Sequence, residues 1–156
     1  MKKTNAIRIL EQKNIPFETL GYEFDSENLT VQKIAKANGL DESEIFKTLV
    51  IKGDKNRVVV AVIPGNKSLN FKSIAKISKN KKMTLLPVGD LLKTTGYIRG
   101  GCSPIGMKKE YPIYIDKIGE QLEQIFVNAG KRGLLIRVNI NDLVKIVNGT
   151  FANIST

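Results

Sequence analysis

A lysine set within an apolar strand pattern is the first candidate for chemistry in this sequence. In "EIFKTLVIK", residues 44–52, Lys47 would share one face of a strand with Leu49 and Ile51. Burying an ammonium group is costly unless it is paired or at work, and desolvation lowers its pKa. Lys47 is therefore a candidate for a working cation. The alternative is a lysine at the mouth of the strand, with its stem packed and its head in water.

A loop rich in glycine is the second candidate. The stretch "YIRGGCSPIG", residues 97–106, holds three glycines, a proline and the single cysteine of the chain. Glycines at this density indicate backbone that turns with positive φ or approaches another group closely. Amides without obstructing side chains can bind carbonyl or phosphate oxygens. Neither GxxxxGK[ST] nor GxGxxG occurs, so the loop is neither a Walker A motif nor a dinucleotide fingerprint.

The residue types that are missing exclude several kinds of catalysis. The chain has no histidine, which excludes Ser-His-Asp and Cys-His catalysis and most zinc sites. Cys102 lacks the usual base and is interpreted as a small apolar loop residue. The acidic residues are scattered and form no convincing pair of the glycosidase or two-metal kind. We expect no metal and no cofactor.

The charge favours a polyanionic partner. The formal net charge is +10, and nucleic acid is the most plausible such partner. The alternative is generic solubilisation, since 20 of the 25 cations are lysines. Candidate phosphate-binding residues cluster along the chain and are Lys81 and Lys82, Lys108 and Lys109, and Lys131 and Arg132. The last pair lies in "NAGKRGLLI". Taken alone, this segment is interpreted as a solvated hairpin tip.

The periodicity predicts the elements that must position these residues. We expect helices at 4–13, 30–38, 68–78, 87–95 and 140–147, and strands at 17–24, 46–52, 57–64, 97–101, 111–116, 124–130 and 134–139. "GDKN" at 53–56 indicates a hairpin. Interspersed helices and strands predict an α+β (mixed α/β) domain around a curved, mixed, partly barrel-like sheet flanked by helices.

Length and composition favour one domain over residues 1–156. A hydrophobic content of 42% can build a core without disulfides or metals, and no linker, repeat or low-complexity segment suggests a boundary. The sequence has no run of about 18 apolar residues and no signal-peptide pattern. We expect a cytoplasmic protein without a membrane partner.

Three segments together resemble a known family. "GLDESEIFKTLVIKG", "TGYIRGGCSPIGMKK" and "GKRGLLIRVNINDLVKI" are similar to the YbaK-type aminoacyl-tRNA deacylases, relatives of the editing domain inserted in bacterial prolyl-tRNA synthetases. The likeness covers nearly the whole chain. It implies a freestanding enzyme that hydrolyses the ester of a mischarged tRNA, most commonly Cys-tRNA(Pro). Cysteine and proline have similar volumes, and an apolar pocket separates such substrates by only about 1–3 kcal/mol, so a second sieve is needed.

The resemblance also implies roles for particular residues. It maps the essential lysine of the family onto Lys47, the backbone glycine site onto Gly100 and Gly101, and the substrate-side tyrosine onto Tyr22. The catalytic residues expected are Lys47 and Gly101. The substrate-binding residues expected are Tyr22, Thr30, Thr48, Gly100, Ser103, Asn128 and Leu135.

The chain departs from the family pattern at positions that face the amino acid. Many bacterial members carry an acidic residue where this chain has Leu135, and a serine where it has Asn128. An aromatic residue near the second helix is replaced by Leu29 or Thr30. These changes imply a broader or shifted pocket, for example one that admits alanine.

The implied mechanism uses no protein nucleophile. A charged Lys47 would anchor acceptor-end oxygens or the aminoacyl carbonyl, and amides near Gly101 would stabilise the oxyanion. The attacking group would be water or, for a cysteinyl ester, its own thiol, in which case the enzyme would class as a lyase. Prolyl-tRNA synthetase is the expected partner for tRNA identity. The alternatives are a non-catalytic tRNA- or RNA-binding module of the same fold, and a regulatory protein with a generic pocket.

Overall fold

Residues 3–25 and 30–156 are described by the structure, which is a computed structural model. The α-helices are α1 (Asn5–Gln12), α2 (Val31–Asn38), α3 (Phe71–Ile77), α4 (Leu91–Thr95) and α5 (Ile140–Val147). Polar side chains begin four of them by accepting first-turn amide hydrogens: Thr4, Thr30, Asn70 and Asn139. Gly39 ends α2 in the left-handed conformation, as the Asn38-Gly39 pair predicts.

The strands form two sheets in this part of the chain. They are β1 (Phe17–Gly21), β2 (Phe46–Lys52), β3 (Val58–Pro64), β4 (Thr84–Leu85), β5 (Ile113–Asp116), β6 (Gln124–Asn128), β7 (Leu134–Asn139) and β8 (Thr150–Ala152). One sheet is antiparallel with the order β1-β7-β6. The other is mixed with the order β4-β2-β3-β5-β8, in which β5 runs parallel to β3 and to β8.

The two sheets meet where β2 begins. A parallel bridge joins Ile45 to Phe126 of β6, and both residues belong to a hydrophobic cluster with Tyr22, Ile34 and Leu135. This contact places the start of β2 beside the antiparallel sheet. The α+β class is confirmed, whereas the described strands form two joined sheets that are not closed into a barrel.

The alternation of β2 and β3 builds hydrophobic clusters on both faces of the mixed sheet. Phe46 and Val60 pack with α1 and the antiparallel sheet on one face, and Ile51 and Ala61 pack against α3 on the other. Because both faces are covered, β3 reads as a continuous apolar run.

Three local predictions differ from the structure. Residues 97–101 form a turn and not a strand, because Gly96 and Gly100 have φ of 85° and 82° and the Gly101 N–H bonds to the Ile98 carbonyl. The two-residue strand β4 and the three-residue strand β8 were not predicted, since such short segments carry no periodic signal. Among the described helices, none is long and apolar enough to cross a membrane.

Candidate active site

A cavity of about 320 Å³ opens at the junction of the two sheets. The start of β2 supplies Lys47 and Thr48, the antiparallel sheet supplies Asn128 and Leu135, and the glycine loop supplies Gly100. The apolar part of the lining is Val31, Ile34, Ile45, Phe46, Leu49, Val50, Leu85, Leu86, Val88, Leu91 and Leu135. The described lining contains two cations, Lys47 and Arg99, and no carboxylate, so the cavity favours an electron-rich or anionic ligand.

Lys47 is half-buried at the entrance to β2. Its pairing with Ile63 of β3 sets its register, and its Nζ lies 3.5 Å from the Gly65 carbonyl oxygen, which also accepts a 2.8 Å bond from the Gln32 side chain. Burial lowers the pKa of the Lys47 ammonium from its ordinary value of 10.5. The predicted face is confirmed, because Leu49 and Ile51 pack in the cluster beneath α3.

Thr48 contributes a buried oxygen to the cavity wall. Within the described part of the chain, its Oγ1 is the buried side-chain polar atom that has no hydrogen-bond partner. Leaving such an atom unpaired costs about 1–3 kcal/mol, so it is an uncommon feature of native interiors. Thr48 lines the cavity, whereas this oxygen is buried beneath the cavity surface.

Asn128 ties the glycine loop to the turn between β6 and β7. Its Nδ2 donates to the Gly100 carbonyl oxygen at 2.9 Å, while its Oδ1 accepts from the amides of Gly130 (2.7 Å) and Lys131 (3.1 Å). The side chain therefore uses donor and acceptor ends at once, and it holds two segments that are far apart in sequence in one geometry.

The glycine loop lies directly against that turn. A Cβ on Gly101 would stand 3.0 Å from backbone atoms of Lys131 and Arg132, so only glycine fits without moving one of the segments. The Arg132 Nε also donates to the Arg99 carbonyl oxygen at 2.8 Å. Since the Gly101 N–H is engaged by the Ile98 carbonyl, an oxyanion at this loop would have to use another amide.

Tyr22 and Leu135 form the inner wall. Tyr22 follows β1 directly, and its amide bonds to the Gly133 carbonyl oxygen at 2.9 Å. Burial raises the pKa of the Tyr22 phenol, while interactions with the Gly133 backbone and the Asn128 side chain act in the opposite direction. Leu135 is buried in the same cluster. The cavity is therefore closed at this end by a neutral aromatic and an aliphatic side chain.

Cys102 lines the cavity as a thiol. Burial raises its pKa to about 11, so it is protonated near neutral pH and a poor nucleophile. This agrees with the interpretation of Cys102 as a small apolar residue. Its place in the cavity lining is a finding that the sequence did not provide.

Some expected substrate-binding residues lie outside the cavity lining. Ser103 is fully buried, and its Oγ accepts a 3.2 Å bond from the Ile105 amide, so it shapes the loop. Thr30 is the N-cap of α2, and its hydroxyl accepts from the Lys33 amide. Both hydroxyls make hydrogen bonds within the fold, and their contact with a substrate stays a prediction. Leu29 lies outside the described residues.

The basic residues divide into separate groups. Lys131 and Arg132 adjoin the glycine loop beside the cavity. Lys81 and Lys82 follow the far end of β2, where the Asp54 carboxylate accepts their backbone amides at 2.6 and 3.4 Å.

The remaining basic pair, Lys108 and Lys109, is split within the structure. Lys108 lies beside α4, where its amide bonds to the Thr95 carbonyl oxygen. Lys109 lines a different cavity, between α1 and α5. The three expected basic pairs therefore do not form one continuous basic surface around the cavity.

Sequence reasoning missed Arg99 and the wall formed by residues 85–91. Arg99 could have been found, because it is a cation inside the glycine loop. The wall could not, since Val88 and Leu91 lie in the helix predicted at 87–95 and Leu85 precedes it without a signal of its own, whereas the structure places all three in the cavity lining.

Comparison with known proteins identifies the family. The family model of the aminoacyl-tRNA editing domain matches residues 25–146, a span that holds Lys47, both glycine turns and Asn128. The chain belongs to the aminoacyl-tRNA editing domain family. The resemblance read from the three motifs is confirmed.

Individual members of this family show how far the likeness extends. A protein of Enterococcus faecalis named "Putative Cys-tRNA(Pro)/Cys-tRNA(Cys) deacylase EbsC" is 46% identical over 155 residues, 99% of this chain and 94% of that protein. A proline–tRNA ligase of Caldicellulosiruptor bescii is 26% identical over 114 residues, which are 72% of this chain and 19% of the ligase.

A solved structure shows the same fold. A crystal structure described as a "putative trans-editing enzyme for prolyl tRNA synthetase" superposes with a TM-score of 0.84 at 19% identity, covering 100% of this chain and 99% of that one. The editing-domain family and its fold are thus established together.

Proposed function

We propose that this protein is a trans-acting aminoacyl-tRNA deacylase that hydrolyses the ester of Cys-tRNA(Pro). The observation that carries the proposal is that Lys47 and the glycine loop face one cavity, although they come from distant parts of the chain. The name of the Enterococcus faecalis relative supports the choice of a cysteinyl ester.

Lys47 acts as a fixed cation in this proposal. Hydrolysis forms a bond between the water oxygen and the acyl carbon, breaks the bond to the ribose oxygen, and returns a proton to that oxygen. A charged Lys47 at the mouth orients acceptor-end oxygens or the aminoacyl carbonyl and stabilises charge that develops there. A residue that works as a cation needs no histidine partner, which agrees with the composition.

The glycine loop would supply the oxyanion donor. Because the Gly101 N–H is engaged, Gly101 contributes the close approach of the backbone, and a neighbouring amide of the loop supplies the hydrogen bond. Thr48 would contact the aminoacyl group as part of the cavity lining. With a cysteinyl ester, the alternative attacking group is the substrate thiol: a bond forms between its sulfur and the acyl carbon, the bond to the ribose oxygen breaks, and the thiol proton passes to that oxygen, which gives a cyclic thioester and the same tRNA.

The amino acid would lie against the apolar inner wall. Tyr22, Ile34 and Leu135 form a small aliphatic and aromatic surface that suits a short, uncharged side chain such as that of cysteine or alanine. Since the described lining holds no carboxylate, the pocket selects the amino acid by its size and apolar character more than by its charge. A pocket of this kind separates neighbouring amino acids by only about 1–3 kcal/mol.

The tRNA would be held by phosphate contacts at two distances from the cavity. Lys131 and Arg132 adjoin the cavity and would contact the acceptor end. Lys81 and Lys82 lie past the far end of β2, which is itself roughly 17 Å from Lys47 at about 3.3 Å per residue, and would meet the stem. We also propose that the protein acts in the cytoplasm and that prolyl-tRNA synthetase supplies tRNA identity.

Single-turnover deacylation tests the proposal. Cys-tRNA(Pro), Cys-tRNA(Cys), Ala-tRNA(Pro) and Pro-tRNA(Pro) are compared with the wild type, Lys47→Ala and the matched control Lys52→Ala, which removes another lysine of the same strand. We expect rapid loss of the cysteinyl esters, abolished by Lys47→Ala and retained in Lys52→Ala, with equal melting temperatures. Binding of tRNA without hydrolysis of any ester would favour the non-catalytic module.

A further inference from the structure

An exposed apolar surface borders the cavity and has no role in the chemistry described above. Eight large hydrophobic side chains of the described residues are exposed, and half of them lie between residues 85 and 98. Three of these, Leu85, Val88 and Leu92, are 52%, 63% and 57% exposed. We call these three residues the rim. Leu85 and Val88 also line the cavity, so the rim continues its apolar wall outward.

The rim belongs to a firmly anchored segment. Leu85 pairs with Ile51 of β2, and the Leu86 amide bonds to the Val50 carbonyl oxygen at 2.9 Å. The Tyr111 hydroxyl donates to the Thr94 carbonyl oxygen at 2.6 Å at the end of α4. Because the segment is held at both ends, its hydrophobic side chains stay exposed to water, which is unfavourable in free energy. This favours a binding role over incidental exposure.

Two cations lie near the rim. Arg99 lines the cavity, and Lys108 extends along α4, its Nζ lying 3.4 Å from the Lys93 carbonyl oxygen. One carboxylate, Asp90, lies within the segment and is ion-paired with Lys93 at 2.9 Å. An apolar surface with cations nearby suits a nucleobase and its phosphate.

We propose that the rim binds the 3′-terminal nucleobase of the substrate tRNA while its aminoacyl group occupies the cavity. This inference rests on the proposed function, because an aminoacyl ester in the cavity is covalently joined to a ribose that carries this base. The base must therefore lie at the cavity border, and Leu85, Val88 and Leu92 form the apolar part of that border. Stacking on side chains without base-edge readout suits a nucleotide that is the same in every substrate.

Kinetics with two substrates test the assignment. The variant Leu92→Ser is compared with Ile118→Ser, and both residues are exposed and lie outside the cavity lining. For Cys-tRNA(Pro) we expect KM to rise roughly ten-fold with kcat unchanged, as loss of buried apolar contact predicts. For cysteine methyl ester, which has no base, Leu92→Ser should match the wild type. An unchanged KM for the tRNA substrate would overturn the assignment.

A binding measurement keeps this test separate from the proposed function. Methyl-labelled wild-type protein is titrated with adenosine 5′-monophosphate and followed by NMR, which requires no turnover. We expect shifts at Leu85, Val88 and Leu92 and not at Ile118. Shifts elsewhere only would overturn the assignment, as would rim shifts that depend on protein concentration alone, since these would make the rim a contact between copies of the chain. Failure of the wild type to hydrolyse any ester would instead overturn the proposed function.

Discussion

The side-chain amide of Asn128 donates a 2.9 Å hydrogen bond to the carbonyl oxygen of Gly100. The same side chain accepts from the Gly130 and Lys131 amides, and the Arg132 Nε makes a second link to the loop at the Arg99 carbonyl oxygen. The position of the loop beside the turn between β6 and β7 therefore depends in part on one residue whose two ends differ chemically.

Replacing Asn128 with aspartate separates these two ends. Asn128→Asp keeps an acceptor for the Gly130 and Lys131 amides and places a carboxylate oxygen against the Gly100 carbonyl. We expect stability to fall by about 1–3 kcal/mol in urea unfolding, and single-turnover deacylation to fall at least roughly ten-fold. The matched control is Asn139→Asp, because Asn139 only accepts from the Asn141 and Asp142 amides. Equal activity in both variants would show that the loop does not depend on Asn128.

A methyl group at Gly101 should separate the two turns. In Gly101→Ala the new Cβ would meet Lys131 and Arg132 backbone at 3.0 Å, so one segment must move. We expect kcat/KM to fall about 10–100-fold, since small displacements of positioning groups have effects of this size. Gly89→Ala is the control, because its Cβ would meet no atom within 4 Å. Wild-type activity in Gly101→Ala would remove the close packing of these turns from the mechanism.

The pH dependence should report the charge on Lys47. Burial lowers the pKa of its ammonium below 10.5, so the charged form is present at low and neutral pH and is lost at a lower pH than for an exposed lysine. We expect kcat/KM, corrected for alkaline hydrolysis of the free ester, to decline with a midpoint below 10.5. Lys47→Arg keeps its charge over this range, so its residual activity should lack that decline and retain any decline due to the substrate. A wild-type rate that rises through the same range would identify neutral Lys47 as a base.

Leu135 should set the size of the amino acid that is accepted. Leu135→Ala enlarges the inner wall, and we expect the rate with Pro-tRNA(Pro) to rise roughly ten-fold relative to Cys-tRNA(Pro). The same change should cost about 2–5 kcal/mol of stability, so rates are measured well below the melting temperature. Leu135→Met conserves volume and serves as the control. A constant ratio of rates in both variants would place the amino acid elsewhere in the cavity.

Local signals predicted most of the fold. The helix at 30–38 has a capping threonine and a terminal Asn-Gly pair, and the apolar run of β3 predicts a central strand. The strand predicted at 97–101 was wrong. Tyr97 and Ile98 favour a strand locally, but the positive φ of Gly100 and the hydrogen bond from the Tyr97 hydroxyl to the Ile105 carbonyl impose a turn.

The candidate site was predictable in its residues and not in its assembly. Lys47 was found because a cation on an apolar strand face is energetically conspicuous. The hydrogen bond between Asn128 and Gly100 could not be predicted. It joins segments 28 positions apart, and an asparagine side chain has several alternative hydrogen-bond partners. Ser103 and Thr30 show the opposite case, in which the hydroxyls of polar residues near the site accept hydrogen bonds from backbone amides of the protein.

The pairing of β1 with β7 bears on how the protein is made. Phe17 lies opposite Val138, so the strand that leads to Tyr22 has its partner far along the sequence. During synthesis, the early segments leave the ribosome long before that partner exists, and such distant pairings are slow to form. The cavity wall can be completed only after β7 has been synthesised, so a translation product interrupted before β7 would carry Lys47 without the Leu135 side of the cavity.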